Sequence, residues 1–515
     1  ALKIKQAQVS SELAILDWIE SNAAKHPNAP AILNISGSTI LNHAEMFERV
    51  SALAHEFHEH GIGRDTKVAV SMMDGPITLT ILLALMSISA VIPIHPISAA
   101  TTIADLVDQL DILVVVGAHR PASAAWQVAE TKGLCYIEVE NDPSRKTGVQ
   151  LRSNRTVAEP SRERACLDDV ALYLRTSGTT GNSAVVSITQ RSLDRNVSTH
   201  GALKNYGPAD RALCVMNFTF LFAFVRASLP ILRFGGSVIV APGYRFADIK
   251  QCCKSLKPTC MAATPAIIQK LILDSEDGLW RPQPGVLKKF HATGEAIPET
   301  LRARLSEVFG ASLSTNYGMT EVSPQVAHYG PDDQFDASAV GEIVSPWLVD
   351  IISDTGSTLP RGGVGRIALR GGYVNEVVGR DKEARFDQEG RLLTGDRGFI
   401  DQDDILFVTG RVDEVINRGG EKIDPKVIEE SIESDVDVER AVVFGVPDPK
   451  LGHKIIAMCV LRKDATRTAQ NIRESIGAKI TGWGMPEQII LMPEIPTNSN
   501  GKVSRRDLSL RYADE

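Results

Sequence analysis

The sequence predicts an α/β fold, and two observations carry that expectation. Short apolar, β-branched runs alternate with stretches of helical periodicity from residue 68 to 116 and again from 212 to 273. Strands separated by helices in this way pair in parallel. After about residue 335 the texture changes to short strand-like runs broken by Gly, Asp and Pro, the pattern of a β-rich segment. A chain of 515 residues has room for several such units, at about 100–200 residues per domain.

Taken in order, residues 68–72 read as a strand, 77–87 as a helix, 90–94 as a strand, 103–110 as a helix and 112–116 as a strand. The run 77–94 (ITLTILLALMSISAVIPI) carries no charge over 18 residues, which meets a crude membrane-helix length. Thr78, Thr80, Ser87 and Ser89 interrupt it, Pro93 nearly ends it and no basic flank precedes it. A buried helix running into a buried strand is the expectation, with no membrane span. Residues 170–174 and 184–188 are two strands around a Gly/Ser/Thr-rich tip. Residues 236–241 form a strand and 262–273 a helix opened near Thr264-Pro265. Residues 342–353, 365–370 and 405–409 are the short strands of the β-rich part. From Val427 a further small unit follows: a helix, strands at 441–446 and 454–461, a helix at 469–480 and a strand at 488–492. Segment 410–420, dense in Gly and charge, is the candidate linker. The expected organisation is a large N-terminal domain, 1–410, of two α/β subdomains plus a β-rich subdomain, then a small mobile α+β C-terminal domain, 411–515.

Composition narrows the function classes. A hydrophobic fraction of 43% and a charged fraction of 23% exclude a disordered or fibrous chain. The formal charge of −8 gives no global basic field for nucleic acid. Seven cysteines without a C-x2-C pair argue against a disulfide framework or zinc site and fit a reducing, cytoplasmic setting. The chain begins with Ala, so processing or excision from a longer protein is an open expectation.

The strongest local signal is Thr176-Ser177-Gly178-Thr179-Thr180-Gly181. Small residues let backbone N–H groups approach a polyanion, and hydroxyls add further donors. It lacks the Gly-Lys-Ser/Thr ending of a P-loop, and a polar surface hairpin is the alternative. Four further segments follow in order: Gly294-Glu295-Ala296; Asn316-Tyr317-Gly318-Met319-Thr320-Glu321; Leu393-Thr394-Gly395-Asp396; and Gly410-Arg411 through Asp413 to Arg418-Gly419-Gly420-Glu421-Lys422. Pro496 to Gly501-Lys502 closes the series.

Together these motifs resemble the adenylate-forming superfamily of acyl-CoA synthetases, peptide-synthetase adenylation domains and luciferase-like enzymes, over nearly the whole chain. The resemblance implies ATP, Mg²⁺ and a phosphopantetheine thiol, either CoA or an acyl/peptidyl carrier protein, acting on a small carboxylic acid. Thr176 to Gly181 would hold the β- and γ-phosphates. Gly294, Glu295, Ala296, Asn316 and Tyr317 would line the adenine site, with Gly318 and Met319 beside them. Thr320 would meet the α-phosphate, Glu321 would hold Mg²⁺, Asp396 would accept from the ribose hydroxyls, and Arg411 would reach the ribose or phosphate. Lys502 would relieve the repulsion between two reacting anions. Asp413 would be the hinge, and Gly419, Gly420, Glu421 and Lys422 would line the thiol tunnel. The implied reaction makes acyl-AMP and pyrophosphate, then a thioester and AMP.

Two departures matter. The phosphate loop continues Gly181-Asn182-Ser183-Ala184, with Ala184 where the family carries lysine; Arg191 and Lys270 are candidate replacements. Thr219 stands where many acyl-CoA synthetases have histidine, and no aspartate lies near Phe220–Phe222 to pair with a substrate ammonium. An unpaired buried ammonium is costly, so the expected substrate is an aryl or acyl acid lacking an α-amino group. Its pocket would be lined by Phe218, Thr219, Phe220 and Phe222, with Gly294 and Gly318 and with Phe224 and Val225 behind, unless those aromatics are ordinary core. Two alternatives stand: an adenylation domain excised from a peptide or polyketide synthase that loads its carrier, and a catalytically impaired nucleotide-binding scaffold, suggested by Ala184.

Overall fold

The computed structural model describes residues 4–5, 12–37, 40–118, 123–155, 157, 164–175, 184–293, 297, 299–323, 325–330, 333, 339–379, 385–412, 414–418, 421–462, 465–477, 484–497 and 503–512. The loop Thr176–Gly181, Gly294–Ala296, Asp413, Gly419, Gly420 and Lys502 lie outside them, as do the side chains of Glu421 and Lys422. Two compact units emerge: residues 1–176, 184–347 and 371–383 in one, and 348–370 and 384–515 in the other.

The first unit holds two sheets. In one, strands Val170–Arg175, Ala90–Pro93, Lys67–Ser71, Val114–Ala118 and Cys135–Asn141 lie side by side in parallel. Antiparallel strands close both edges: Val149–Ser153 on one side, Val185–Thr189 and then Glu376–Val377 on the other. The other sheet runs in parallel through Pro30–Asn34, Ser237–Val240, Arg211–Cys214, Cys260–Ala263, Lys289–Ala292 and Ser312–Tyr317. Strands Ala327–Tyr329 and Ala339–Val344 follow antiparallel. Such strands are covered on both faces, which is why they read as continuous apolar runs.

The uncharged run at 77–94 becomes the helix Pro76–Met86 and the strand Ala90–Pro93. The helix is apolar all round because it is buried all round. Its polar residues and those just beyond it are satisfied locally: Thr80 Oγ1 donates to the Pro76 carbonyl, Ser87 Oγ to Ala84 and Ser89 Oγ to Leu85. Among the described residues no helix is long and apolar enough to cross a membrane.

Three expectations shift. The strand expected at 112–116 forms at Val114–Ala118. Ala262 and Ala263 end the strand Cys260–Ala263, and the helix Pro265–Asp277 starts after Thr264, whose side chain caps the Ile267 N–H. The run 342–353 is two strands, Ala339–Val344 and Leu348–Ile352. Pro346, with no N–H for a ladder, sits at the break.

In the second unit, strands Leu348–Ile352, Gly365–Arg370, Leu392–Ile400 and Ile405–Arg411 form an antiparallel run. After them come the hairpin of Ile416–Arg418 with Glu421–Ile423 and a sheet of Val438–Asp448, Gly452–Leu461 and Gln488–Leu491. Alternate residues of Val438–Asp448 face two cores. Ala441 and Val443 join Ile428, Ile432 and Ile472, while Val442, Phe444 and Val446 join Ile495 and Leu508. All seven cysteines are free thiols.

Candidate active site

In the first unit the site grows from the strand Ser312–Tyr317. Its buried residues Leu313–Asn316 anchor it, and at Tyr317 it leaves the core. The Asn316 Oδ1 is 2.9 Å from His328 Nδ1, and Thr293 Oγ1 donates to the Asn316 carbonyl at 3.1 Å. Tyr317 to Glu321 then run half-buried along the end of the sheet.

Two buried side chains clamp that segment through its backbone. Arg226 comes from the π-helical turn Phe222–Ser228, a geometry that recurs at functional sites. Its Nη2 donates to the Met319 carbonyl at 3.1 Å and the Val322 carbonyl at 3.4 Å. Asn375 approaches from the other side: its Nδ2 donates to the Thr320 carbonyl and its backbone N–H to the Glu321 carbonyl, both at 2.8 Å. The Asn375 Oδ1 accepts from Ser192 Oγ, and Ser323 Oγ donates to the Ser192 carbonyl at 2.8 Å. The backbone of Thr320 and Glu321 is thus held on both flanks, while the hydroxyl and carboxylate take no partner among the described residues.

Gly318 lies close over the arginine. A Cβ there would lie 3.0 Å from Arg226 Nη1 and 3.3 Å from the Gln325 Cα. Burial lowers the Arg226 guanidinium to about 10, with the Glu321 carboxylate acting in the opposite sense; it remains a cation at neutral pH.

In the second unit Asp396 and Arg411 face each other across antiparallel strands. Arg411 Nη1 lies 3.3 Å from Asp396 Oδ1. Gly395 lets the guanidinium lie close, since a Cβ there would sit 2.7 Å from Arg411 Nη2 and displace it. Thr394 Oγ1 donates to the Ile367 carbonyl at 2.7 Å and accepts the Asp396 N–H at 3.1 Å, which fixes the carboxylate's backbone.

The aromatic segment divides. Phe218, Phe222, Phe224 and Val225 are at most 3% exposed and belong to the central core, with Phe218 and Phe224 in ring contact. These side chains are packed in the core in this structure. Phe220 is half-buried. Phe218 and Thr219 border a cavity of about 10 Å³ with Asp74, room for about one water. Asp74 Oδ2 accepts the Phe218 N–H at 3.3 Å, and burial pushes its carboxyl up to about 7.

The candidate replacements for the missing loop lysine are already engaged. Arg191 pairs with Asp168 at 2.9 Å and with Glu12, and Lys270 pairs with Asp274 at 3.5 Å. Ala184 packs against the core. Sequence reasoning also missed Arg226, Asn375 and Gln325. Arg226 had a signal, a lone charge inside the apolar run 218–232; Asn375 and Gln325 had none.

The family model described as AMP-binding enzyme matches residues 19–376, and that of the AMP-binding enzyme C-terminal domain matches residues 427–502. The chain belongs to the AMP-binding enzyme family. It is a member of the adenylate-forming superfamily and an AMP-forming acid–thiol ligase. It is 27% identical to a sulfoacetate–CoA ligase of Cupriavidus necator over 98% of this chain and 98% of that protein. It is 26% identical to a probable CoA ligase, CCL9, of Humulus lupulus, covering 97% of this chain and 96% of that one. ATP-bound MatB from Rhodopseudomonas palustris shares the fold, with a TM-score of 0.84 at 21% identity over 98% of this chain and 99% of that one.

Proposed function

We propose that this enzyme joins a carboxylic acid lacking an α-amino group to CoA by way of an acyl-AMP. The observation that carries the reading is the Asn316–Glu321 segment, whose backbone is fixed by Arg226 and Asn375 while the Thr320 hydroxyl and Glu321 carboxylate stand ready for a ligand. In the first step a carboxylate oxygen bonds to the α-phosphorus of ATP and the bond to pyrophosphate breaks. Thr320 donates to the α-phosphate, and Lys502 offsets the charge gathered there. Asp396 accepts from the ribose hydroxyls, and Arg411 steadies it. In the second step the CoA sulfur bonds to the acyl carbon, AMP leaves through its phosphate oxygen, and the thiol proton goes to solvent.

Glu321 is the candidate Mg²⁺ ligand. Mg²⁺ is held by one or two carboxylates plus substrate phosphates, so a single unpartnered carboxylate suits it. The ion would neutralise phosphate charge.

The loop Thr176–Gly181 is assigned to the β- and γ-phosphates, and Gly294–Ala296 with Tyr317 to adenine. Residues 411–515 are proposed to rotate about Asp413 between the steps, exchanging Lys502 for Gly419, Gly420, Glu421 and Lys422, which then line the thiol's path. CoA is favoured over a carrier protein because relatives named as CoA ligases match over nearly the full chain. The absence of an α-amino group is supported by the cation Arg226 behind Gly318, which repels an ammonium. The test is pyrophosphate release across a panel of acids, with CoA and then with a phosphopantetheinylated carrier as acceptor. Acid-dependent pyrophosphate and a CoA thioester are expected. Normal ATP binding with no pyrophosphate from any acid refutes the enzyme reading in favour of a scaffold.

A further inference from the structure

Behind Gly318 the interior is polar rather than apolar. Arg226, His200, Gln325 and Asn316 are each at most 7% exposed. Arg226 Nε, both His200 ring nitrogens, both Gln325 amide atoms and Asn316 Nδ2 have no hydrogen-bond partner among the described residues. Buried polar atoms are nearly always paired, and six left open in one region mark a place built for something else to complete. They form one region: Gln325 and Arg226 meet at Gly318, Asn316 holds His328, and His200 feels the charges of Arg226 and His328.

The charge balance names what is missing. Arg226 bonds only the Met319 and Val322 carbonyls, with no carboxylate in ion-pair contact among the described residues. Lys204, further along the same interior, bonds His291 and Ser314 and likewise has no carboxylate partner. His200 and His291 are kept neutral by burial, so they supply hydrogen bonds and no compensating negative charge. The Glu321 carboxylate acts on Arg226 without an ion-pair contact, and a buried guanidinium without a paired counter-charge is costly. An anion reaching it beside Gly318 would meet Nη1, since Nη2 already serves two carbonyls, and a delocalised cation so placed suits a carboxylate or sulfonate.

We propose that the acid activated here carries a second anionic group, and that Arg226, seconded by Gln325, is the residue that selects it. This deepens the ligase reading above and rests on it: the reacting carboxylate goes to the α-phosphate beside Thr320, and the distal anion goes to Arg226.

The test is kcat/KM for pyrophosphate release with matched acids of equal chain length: dicarboxylic acids, sulfonated acids, and the corresponding monocarboxylic acids ending in methyl. The unmodified enzyme is expected to favour the doubly anionic acids by at least about 30-fold, the lower range for a buried charge pair. Arg226→Met should collapse that ratio by losing turnover of the doubly anionic acids, and Arg226→Lys should keep part of it. The comparison of dicarboxylic with sulfonated acids tells which anion is taken. Gln325→Leu guards against misfolding, because it replaces an unpaired buried amide with an apolar group of similar size. It should leave the melting temperature unchanged or higher while lowering turnover of doubly anionic acids. Preference of the unmodified enzyme for methyl-ended acids overturns the proposal and leaves the ligase standing. Equal losses on both acid types in Arg226→Met overturn it too, reducing Arg226 to a clamp on Met319 and Val322. No pyrophosphate from any acid removes the ligase reading and this one together.

Discussion

Asn375→Ala tests whether the clamp on Thr320 and Glu321 serves chemistry. The Asn375 side chain is 2% exposed, donates to the Thr320 carbonyl at 2.8 Å and accepts from the buried Ser192 hydroxyl. Truncation removes both bonds and leaves the Ser192 hydroxyl unpaired in the interior, while the half-buried Thr320 carbonyl can turn to water. At about 1 kcal/mol per net bond, plus about 1–3 kcal/mol for the stranded hydroxyl, the loss of stability is about 3–5 kcal/mol. The backbone bond from Asn375 to Glu321 survives, so the segment loosens rather than detaches. A shift of about 1 Å in a reacting constellation costs about 100-fold in rate. The assay is ATP–pyrophosphate exchange beside chemical denaturation, with Leu271→Ala as control, a core truncation on the helix Pro265–Asp277 that costs about 2–5 kcal/mol. At a temperature where both variants stay folded, Asn375→Ala should lose exchange by about 10- to 100-fold and the control should not. Exchange within twofold of the parent in Asn375→Ala would refute the reasoning and leave Asn375 a structural residue only.

Lys502→Ala should nearly abolish adenylation yet spare thioester formation from supplied acyl-AMP; equal loss of both half-reactions contradicts the assignment of Lys502 to the first step. Asp74→Asn reports on the buried carboxyl near Phe218. Burial raises its folded value from 3.8 to about 7, so its favourable contribution is complete below pH 3.8 and is lost as pH rises through 7. At pH 8 the variant should exceed the parent in stability, by up to about 4 kcal/mol at 1.36 kcal/mol per unit, and the two should converge near pH 4. Parallel stability curves across that range would show that Asp74 is not held protonated. Ala184→Lys should lower the KM for ATP by restoring a cation next to the phosphate loop, and an unchanged KM would show that the enzyme does not need one there.

The fold was legible where periodicity is strong. The uncharged run at 77–94, the hairpin Val170–Arg175 with Val185–Thr189, and the strand Gly365–Arg370 each lie where the pattern puts them. Boundaries moved where a single residue decides them: Thr264 starts its helix by capping, and Pro346 sits where one expected strand becomes two. Of the candidate site, the segments holding Asn316–Glu321, Asp396 and Arg411 were legible through their resemblance to a family's motifs. Asn375 was not, because it acts through a contact spanning 55 residues to Thr320 and carries no pattern of its own. An aromatic run reads the same in a pocket wall and in a core; the turn Phe222–Ser228 sets Phe222 and Phe224 in the interior and Arg226 against Gly318.

Product stoichiometry tests the ligase chemistry itself. The enzyme is incubated with ATP, Mg²⁺, CoA and the best acid of the panel, and all nucleotide, phosphate and thioester products are quantified. AMP, pyrophosphate and acyl-CoA are expected in equal amounts, with acyl-AMP accumulating when CoA is withheld. ADP with inorganic phosphate, or AMP and pyrophosphate formed at the same rate without any acid, would contradict it.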